Sequence, residues 1–195
     1  MIDTLDLRET ALVIIDLQKG IVNREGFAPF SVNEVIEKNE KLAASLVNTD
    51  ALIVAVHVKN YGPEVLTPIV DKPLKKIAPS MDYSDFVIGV VNDPESQNVI
   101  QVVKHNWGAF YGTDLEVQLR RRGIKTIILT GIATTIGCDT TAREAFQRGF
   151  NVITVPDAMT DFSVRFHEAT VKYIFNRMGR VRSTEEVLES IMEAK

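Results

Sequence analysis

The sequence lacks the features of secreted and membrane proteins. Its 195 residues contain a single cysteine, so no intramolecular disulfide framework can form and a reducing compartment is expected. No apolar run approaches the ~20 residues that span a bilayer. The first residues, Met1 to Asp6, are acidic and lack the charged and apolar regions of a signal peptide. These absences predict a cytoplasmic protein that contacts no membrane.

Positive charge and metal-ligand patterns are scarce as well. The net charge is -4, and no cluster of lysine and arginine is interleaved with aromatic residues, so no nucleic-acid partner is predicted. His57, His105 and His167 share no metal-ligand spacing, and we predict neither a metal nor a cofactor. The apolar fraction of 45% is that of an ordinary globular protein, and residues 1–195 are expected to form one domain.

Short apolar runs alternate with helical patterns along the whole chain. The runs are rich in β-branched residues and apolar on both faces, as in parallel strands covered by helices on each side. This alternation predicts a single-domain α/β fold: a doubly wound parallel β-sheet flanked by helices on both faces, a Rossmann-like three-layer sandwich. The predicted strands are Ala11–Ile15, Ala51–Val56, Phe86–Val91, Thr126–Leu129 and Asn151–Val155.

Several helices have recognisable start signals. Capping boxes are predicted at Ser31–Glu34 and Thr113–Glu116, and a last helix is predicted to begin at Ser183–Glu186. Ser163 is predicted to cap a further helix. The inner face of that helix is expected to be Phe166, Ala169, Thr170, Tyr173 and Ile174.

One long segment has no regular pattern. Residues 59–85 contain Pro63, Pro68, Pro73 and Pro79, and we expect an irregular excursion there. Long loops in compact domains are often functional lids.

Three polar features follow predicted strands, where ligands bind in open α/β sheets. Asp16 follows the first strand, Lys104 follows an apolar segment at 99–103, and the turn Gly131–Cys138 follows the strand Thr126–Leu129. A thiol at the start of the next helix would be favoured as a thiolate by the helix N-terminus. Each feature also has a structural interpretation: a loop-capping carboxylate, a surface lysine and a small buried residue.

Four motifs in order resemble the isochorismatase-like hydrolase superfamily, which includes isochorismatases, nicotinamidases and carbamoylsarcosine amidases. The resemblance implies a parallel sheet flanked by helices and a homodimer or homotetramer. It implies Asp16 as the acid/base residue with Lys104 as its charged partner, and a non-proline cis peptide at Ile132–Ala133 that shapes the oxyanion site. The motifs are 11–18, 104–115, 131–134 and 156–158.

The cysteine departs from the pattern of the amidase branch. There the nucleophile lies six residues after the glycine of the Gly-Ile-Ala-Thr motif. In this chain that glycine is Gly131, so the nucleophile position is occupied by Gly137. Cys138 is the next residue, and one step along a helix rotates a side chain by ~100°. The metal-binding Asp-x-His of the nicotinamidases corresponds to residues 58–60, which contain neither ligand, so the resemblance does not favour a nicotinamidase.

A glycine at this position resembles the isochorismatase branch. Cleavage of a vinyl ether needs no covalent intermediate, because an acid protonates the enol carbon and water captures the resulting cation. Asp16 would be the acid, and Gly137 would leave room for substrate. Trp107, Phe110 and Tyr111 are expected to wall a site for a planar or small cyclic molecule, although the core or a subunit interface is an equal alternative.

Three functions therefore stay open from the sequence. The leading prediction is a hydrolase that uses Asp16 with Lys104. The alternatives are a thiol amidase in which a local bulge brings Cys138 inward, and a non-catalytic ligand-binding or scaffold protein. A substrate with two carboxylates would call for arginine. Residues 58–103 contain no arginine, and the lysines there, Lys59, Lys72, Lys75 and Lys76, would act as point charges.

Overall fold

The computed structural model, which describes residues 4–72 and 79–195, contains one six-stranded parallel sheet. Its strand order is β3-β2-β1-β4-β5-β6, so the order reverses between β1 and β4. The predicted doubly wound α/β sheet is confirmed. The strands are β1 Thr10–Ile15, β2 Leu52–Val58, β3 Val99–Lys104, β4 Thr126–Ile132, β5 Asn151–Thr160 and β6 Arg180–Val181.

Eight α-helices lie in the described part of the chain, and helices cover both faces of the sheet. A π-helical turn, Thr134–Cys138, joins β4 to α5, and a second one, Val171–Phe175, joins α6 to α7. None of the described helices is long and apolar enough to span a membrane. The helices are α1 Lys19–Val22, α2 Val32–Leu46, α3 Gly89–Asn92, α4 Leu115–Arg121, α5 Asp139–Gln147, α6 Val164–Thr170, α7 Asn176–Met178 and α8 Thr184–Glu193.

The sheet separates two hydrophobic layers. Every residue of β1 and β2 is buried, because the central strands have helices on both sides. On one face, Leu12 and Ile14 of β1 pack with apolar residues of α2 and α8. On the other face, Val13 and Ile15 pack with residues of α4 and α5. The central strands are therefore packed on both faces up to their carboxyl ends, where the polar side chains predicted from the sequence lie.

The helix start signals are confirmed at three of four places. Both halves of the capping box form at Ser31 and at Ser183, and the Ser163 hydroxyl accepts the Phe166 N–H. The box predicted at Thr113–Glu116 does not form. Thr113 Oγ1 instead accepts the Leu115 N–H at 3.2 Å and donates to the Ala109 carbonyl at 2.6 Å, so it fixes the preceding loop.

The strand predicted at Phe86–Val91 is wrong. Phe86 forms one isolated antiparallel bridge to Gln18, and the chain then turns into the short helix α3. Ile88 is fully buried against α2, which explains why this run is apolar without pairing in the sheet. The third strand is Val99–Lys104, an edge strand in which only Val102 and Lys104 are fully buried.

The inner face predicted for the helix after Ser163 is also wrong in part. Phe166 and Tyr173 are exposed, with 59% and 54% of their surface accessible, whereas His167 is buried. The second π-helical turn adds a residue to the helical repeat and so shifts the apolar stripe beyond it. Residues 59–72 and 79–85 contain no helix or strand, as predicted for this excursion. Pro73, Lys75 and Lys76 lie outside the described residues.

Candidate active site

A carboxyl group and an ammonium group meet at the carboxyl edge of the sheet, where the strand order reverses. Asp16 follows β1, and Lys104 ends β3. The Lys104 Nζ atom lies 3.0 Å from Asp16 Oδ2 and also donates to the Trp107 carbonyl at 2.6 Å. Lys104 is 1% exposed and Asp16 is 7% exposed, so both groups are largely removed from water.

The environment of Asp16 favours its protonated form. Burial raises the pKa of this carboxyl, and the positive charges of Lys104 and, more weakly, Arg24 oppose that rise. The Oδ1 atom is buried and has no hydrogen-bond partner. The backbone at Asp16 has φ 54°, which turns the chain as it leaves β1. The arrangement can therefore hold a proton on a carboxyl oxygen that makes no other hydrogen bond.

The turn after β4 places Gly137 beside this pair. The bond between Ile132 and Ala133 is cis, as the resemblance implies. The Ala133 carbonyl accepts the N–H groups of Ile136 and Cys138, both at 3.1 Å. A Cβ atom added to Gly137 would lie 3.2 Å from Lys104 Nζ and 2.7 Å from Ile15 Cγ2. The side chains of Ile15 and Lys104 therefore occupy part of the space next to Gly137 that the sequence predicts to be open to substrate.

Cys138 lies in the core behind the turn. Its side chain is fully buried among apolar residues of β1, β4 and α5, and its Sγ atom lies 3.7 Å from the Thr130 carbonyl oxygen. Burial, reinforced by the nearby Asp16 charge, raises the pKa of the thiol well above 9.0. The helix start therefore does not produce a thiolate at this position, because desolvation is the largest effect.

Side chains from two further elements hold the turn in place. Asp161 Oδ2 accepts the Thr135 N–H and hydroxyl, both at 2.7 Å. The Thr134 hydroxyl lies 2.8 Å from His167 Nδ1. Thr141 donates to the Gly137 carbonyl at 2.6 Å and accepts the Ala109 N–H, which ties α5 to the loop that carries Trp107.

The three aromatic residues after Lys104 have different environments. Trp107 and Tyr111 are exposed, at 59% and 60%. Phe110 does not wall the site. It is buried beside Phe150, with 5.8 Å between ring centroids, and Phe150 immediately precedes β5 at the opposite edge of the sheet.

The histidines have structural contacts. His57 Nδ1 lies 2.9 Å from the Ser84 carbonyl, and His105 Nδ1 lies 2.8 Å from the Lys59 carbonyl. Within residues 4–72 and 79–195, no three histidine, cysteine or acidic side chains are grouped as a metal site.

The sequence interpretation overlooked Arg24. This residue follows α1, and its guanidinium is close enough to Asp16 to lower the pKa of the carboxyl. No motif marks Arg24, and its contact with Tyr83 joins residues 59 positions apart. Arg24 also lies outside residues 58–103, the segment in which a lack of arginine counts against a substrate with two carboxylates.

The fold is that of a doubly wound α/β protein, and the buried Asp16–Lys104 pair lies at the switch point of its sheet, where ligands bind in open α/β sheets. The chain belongs to the isochorismatase family, since the Isochorismatase domain model matches residues 10–186. Like the members of that family, it is a hydrolase. It is 45% identical to the uncharacterized isochorismatase family protein YwoC of Bacillus subtilis, over 98% of this chain and all of the relative.

Two further relatives agree with this assignment. The uncharacterized isochorismatase family protein YecD of Escherichia coli O157:H7 is 38% identical, over 96% of this chain and 98% of the relative. The solved structure of an isochorismatase family protein from Burkholderia thailandensis is 37% identical and superposes with a TM-score of 0.89, over 98% of this chain and 100% of that one.

Proposed function

We propose that this hydrolase acts on a small cyclic or planar metabolite by acid/base catalysis from Asp16 with Lys104, and that it forms no covalent cysteine intermediate. One observation carries the proposal: the position beside Lys104 Nζ is Gly137, and the thiol of the next residue is buried in the core. The protonated form of Asp16 is favoured by burial, as a general acid requires.

A vinyl ether is the substrate class that best suits this chemistry. Asp16 donates its proton to the terminal carbon of the enol ether and leaves an oxocarbenium ion. Water adds to that cation, and the proton released returns to the Asp16 carboxylate. The hemiketal then collapses to a ketone and an alcohol. Lys104 holds the carboxyl in place and stabilises its ionised form after the proton has left.

The name of one relative supports the choice of a first substrate. A Bacillus subtilis protein named isochorismatase is 33% identical over 101 residues, which are 52% of this chain and 32% of that protein. Isochorismate, a ring compound that carries an open-chain vinyl ether, is therefore the compound to test first.

Neither alternative has an observation that favours it over the leading proposal. A thiol amidase would need Cys138 to leave the core, against the burial that also raises the pKa of its thiol. A non-catalytic scaffold gives no reason for a buried carboxyl with one unpartnered oxygen beside a buried lysine. Burying such groups costs free energy, and active sites are where that cost is commonly found.

The test compares Asp16→Asn with Cys138→Ala in purified protein, with isochorismate and a panel of primary amides as substrates. We expect Asp16→Asn to lower turnover of the vinyl ether by about 10²-fold or more, and Cys138→Ala to leave it nearly unchanged. An equal loss in both variants would overturn the proposal. Amide turnover that disappears when Cys138 is alkylated would favour the amidase instead.

We also propose that the protein is a cytoplasmic homodimer or homotetramer. An exposed apolar surface on and around α6 supports an assembly, and the free, buried cysteine is compatible with a reducing compartment. Light scattering on the purified chain tests the assembly, and a single species with the monomer mass would contradict it. The surface consists of Phe162, Val164, Phe166 and Tyr173.

A further inference from the structure

Arg24 is an exposed arginine just after α1, on the connection that leaves β1 at Asp16, and its hydrogen bonds to described residues go to neutral groups. Its Nε donates to the Gly20 carbonyl at 3.3 Å, and its Nη2 donates to the Tyr83 hydroxyl at 3.2 Å. None of the ion pairs between described residues includes Arg24. A guanidinium has five N–H donors, so these two bonds leave Nη1 and one hydrogen of Nη2 available for a bidentate contact with a planar anion.

Tyr83 fixes where that guanidinium lies. The ring is 3% exposed and lies flat against Gly20, where a Cβ atom would approach ring carbons to 2.2 Å. The Tyr83 carbonyl accepts the Gly20 N–H at 2.9 Å and the Gln18 side-chain amide at 3.1 Å. Tyr83 therefore packs against α1, and its hydroxyl lies within hydrogen-bond distance of the Arg24 guanidinium.

The net charge around Asp16 depends on whether its carboxyl carries a proton. Lys104 and Arg24 both act on Asp16, and one carboxylate can neutralise only one of them. Lys19, on α1, lies 3.2 Å from both Asp82 and Asp85, so these three groups together carry one negative charge. The charges therefore balance when Asp16 is ionised and leave one surplus positive charge when Asp16 is protonated, which is the form required of a general acid.

We propose that Arg24 is a specificity-determining residue that binds a carboxylate of the substrate, while Asp16 and Lys104 act at the bond that breaks. The proposal rests on the proposed function only in placing the reaction at Asp16. Tyr83 is a positioning residue in this arrangement, since it contacts Arg24 and not the substrate. Carboxylate-bearing metabolites are therefore the substrate class to search.

Binding of benzoate and of benzamide provides the test, because the two probes share a shape and differ in charge. Isothermal titration calorimetry is carried out on the wild type, Arg24→Gln, Arg24→Lys and Arg121→Gln. The last variant is the control, because Arg121 is an equally exposed arginine on α4. We expect Arg24→Gln to weaken benzoate by about tenfold or more without affecting benzamide, and Arg24→Lys to lie in between. Equal benzoate affinity in Arg24→Gln and Arg121→Gln would overturn the proposal, as would equal weakening of both probes.

Turnover separates this proposal from the proposed function. If isochorismate and other vinyl ethers are not hydrolysed but benzoate binding still depends on Arg24, the proposed function fails and the carboxylate site stands. If turnover depends on Asp16 but Arg24→Gln leaves KM for an anionic substrate unchanged, the carboxylate site fails alone. Tyr83→Phe is expected to raise KM and leave kcat nearly unchanged, and a loss confined to kcat would contradict the positioning role.

Discussion

At the Asp16 carboxyl, burial and neighbouring charge act in opposite directions. Burial is the larger effect and raises the pKa above 3.8, whereas Lys104 and Arg24 lower it. In a reaction that needs the protonated acid, kcat/KM is constant below this pKa and falls as the pH rises through it. We expect kcat/KM of the wild type to fall as the pH rises, and the midpoint of this fall to be the same in Cys138→Ala. A profile that rises with pH would instead indicate Asp16 acting as a base.

Gly137 is the residue at which an added methyl group has the most direct consequence. Its Cβ would lie 2.7 Å from Ile15 Cγ2 and 3.2 Å from Lys104 Nζ. We expect Gly137→Ala to lower the free energy of unfolding by about 1–3 kcal/mol through overpacking, and to reduce kcat because the lysine must shift. Urea unfolding and steady-state kinetics measure the two effects.

Gly89→Ala is the matched control for this prediction. An added Cβ there would meet its nearest atom, Glu40 Oε1, at 3.5 Å, an ordinary contact distance. If Gly137→Ala proved as stable and as active as Gly89→Ala, the close contacts around Gly137 would not matter to the site.

Two structural elements are linked by Asp161, which follows β5 and binds the π-helical turn that carries Gly137. It accepts the N–H and hydroxyl of Thr135, and loss of hydrogen bonds to a charged group costs about 1.5–3 kcal/mol each. We expect Asp161→Ala to lower both the free energy of unfolding and kcat, since the turn loses its support.

Asp157 offers a control with the same kind of contacts away from the site. It accepts the N–H and hydroxyl of Thr184 at the start of α8, at 2.9 and 3.1 Å. Asp157→Ala is expected to destabilise the protein with little change in kcat. An equal loss of kcat in the two variants would mean that Asp161 supports the fold as a whole and not the turn.

Elements buried on both faces were the easiest to predict from sequence. β1, β2, β4 and β5 are short apolar runs because helices cover each side. In the edge strand β3, residues 101–104 are alternately exposed and buried, so its sequence is less uniformly apolar. The apolar run Phe86–Val91, which packs on α2, therefore resembles a buried strand more closely than β3 does. The positions of Asp16 and Lys104 can be predicted because each comes at the end of an apolar segment. The spacing from Gly131 predicts that Cys138 lies one residue beyond the usual nucleophile position. Arg24 could not be found in this way, since the contact with Tyr83 depends on how a long irregular segment folds back.

At the scale of the whole molecule, two of the three histidines, His57 and His167, make stability depend on pH, because burial opposes the protonation of their rings. Burial lowers the pKa of His57, against a hydrogen bond to Ser84, and lowers the pKa of His167, against the charges of Asp161 and Glu168. Both pKa values are below 6.5 in the folded state, so the unfolded chain takes up protons first as the pH falls. The stabilisation that comes from burying the neutral rings is therefore complete above pH 6.5, and it is lost as the pH falls from 6.5 through the folded-state pKa values.

We therefore expect the free energy of unfolding to decline less between pH 8 and about 5.5 in His57→Asn and His167→Asn than in the wild type. Asparagine places an amide where the Nδ1 atom of each ring makes its hydrogen bond, to Ser84 or to Thr134, and it does not titrate. Asp16 works in the opposite direction, because a raised carboxyl pKa favours the folded state at lower pH, and this contribution is common to all three proteins. Urea unfolding at each pH measures the difference. If all three proteins had the same pH dependence, burial of the rings would not be what opposes their protonation.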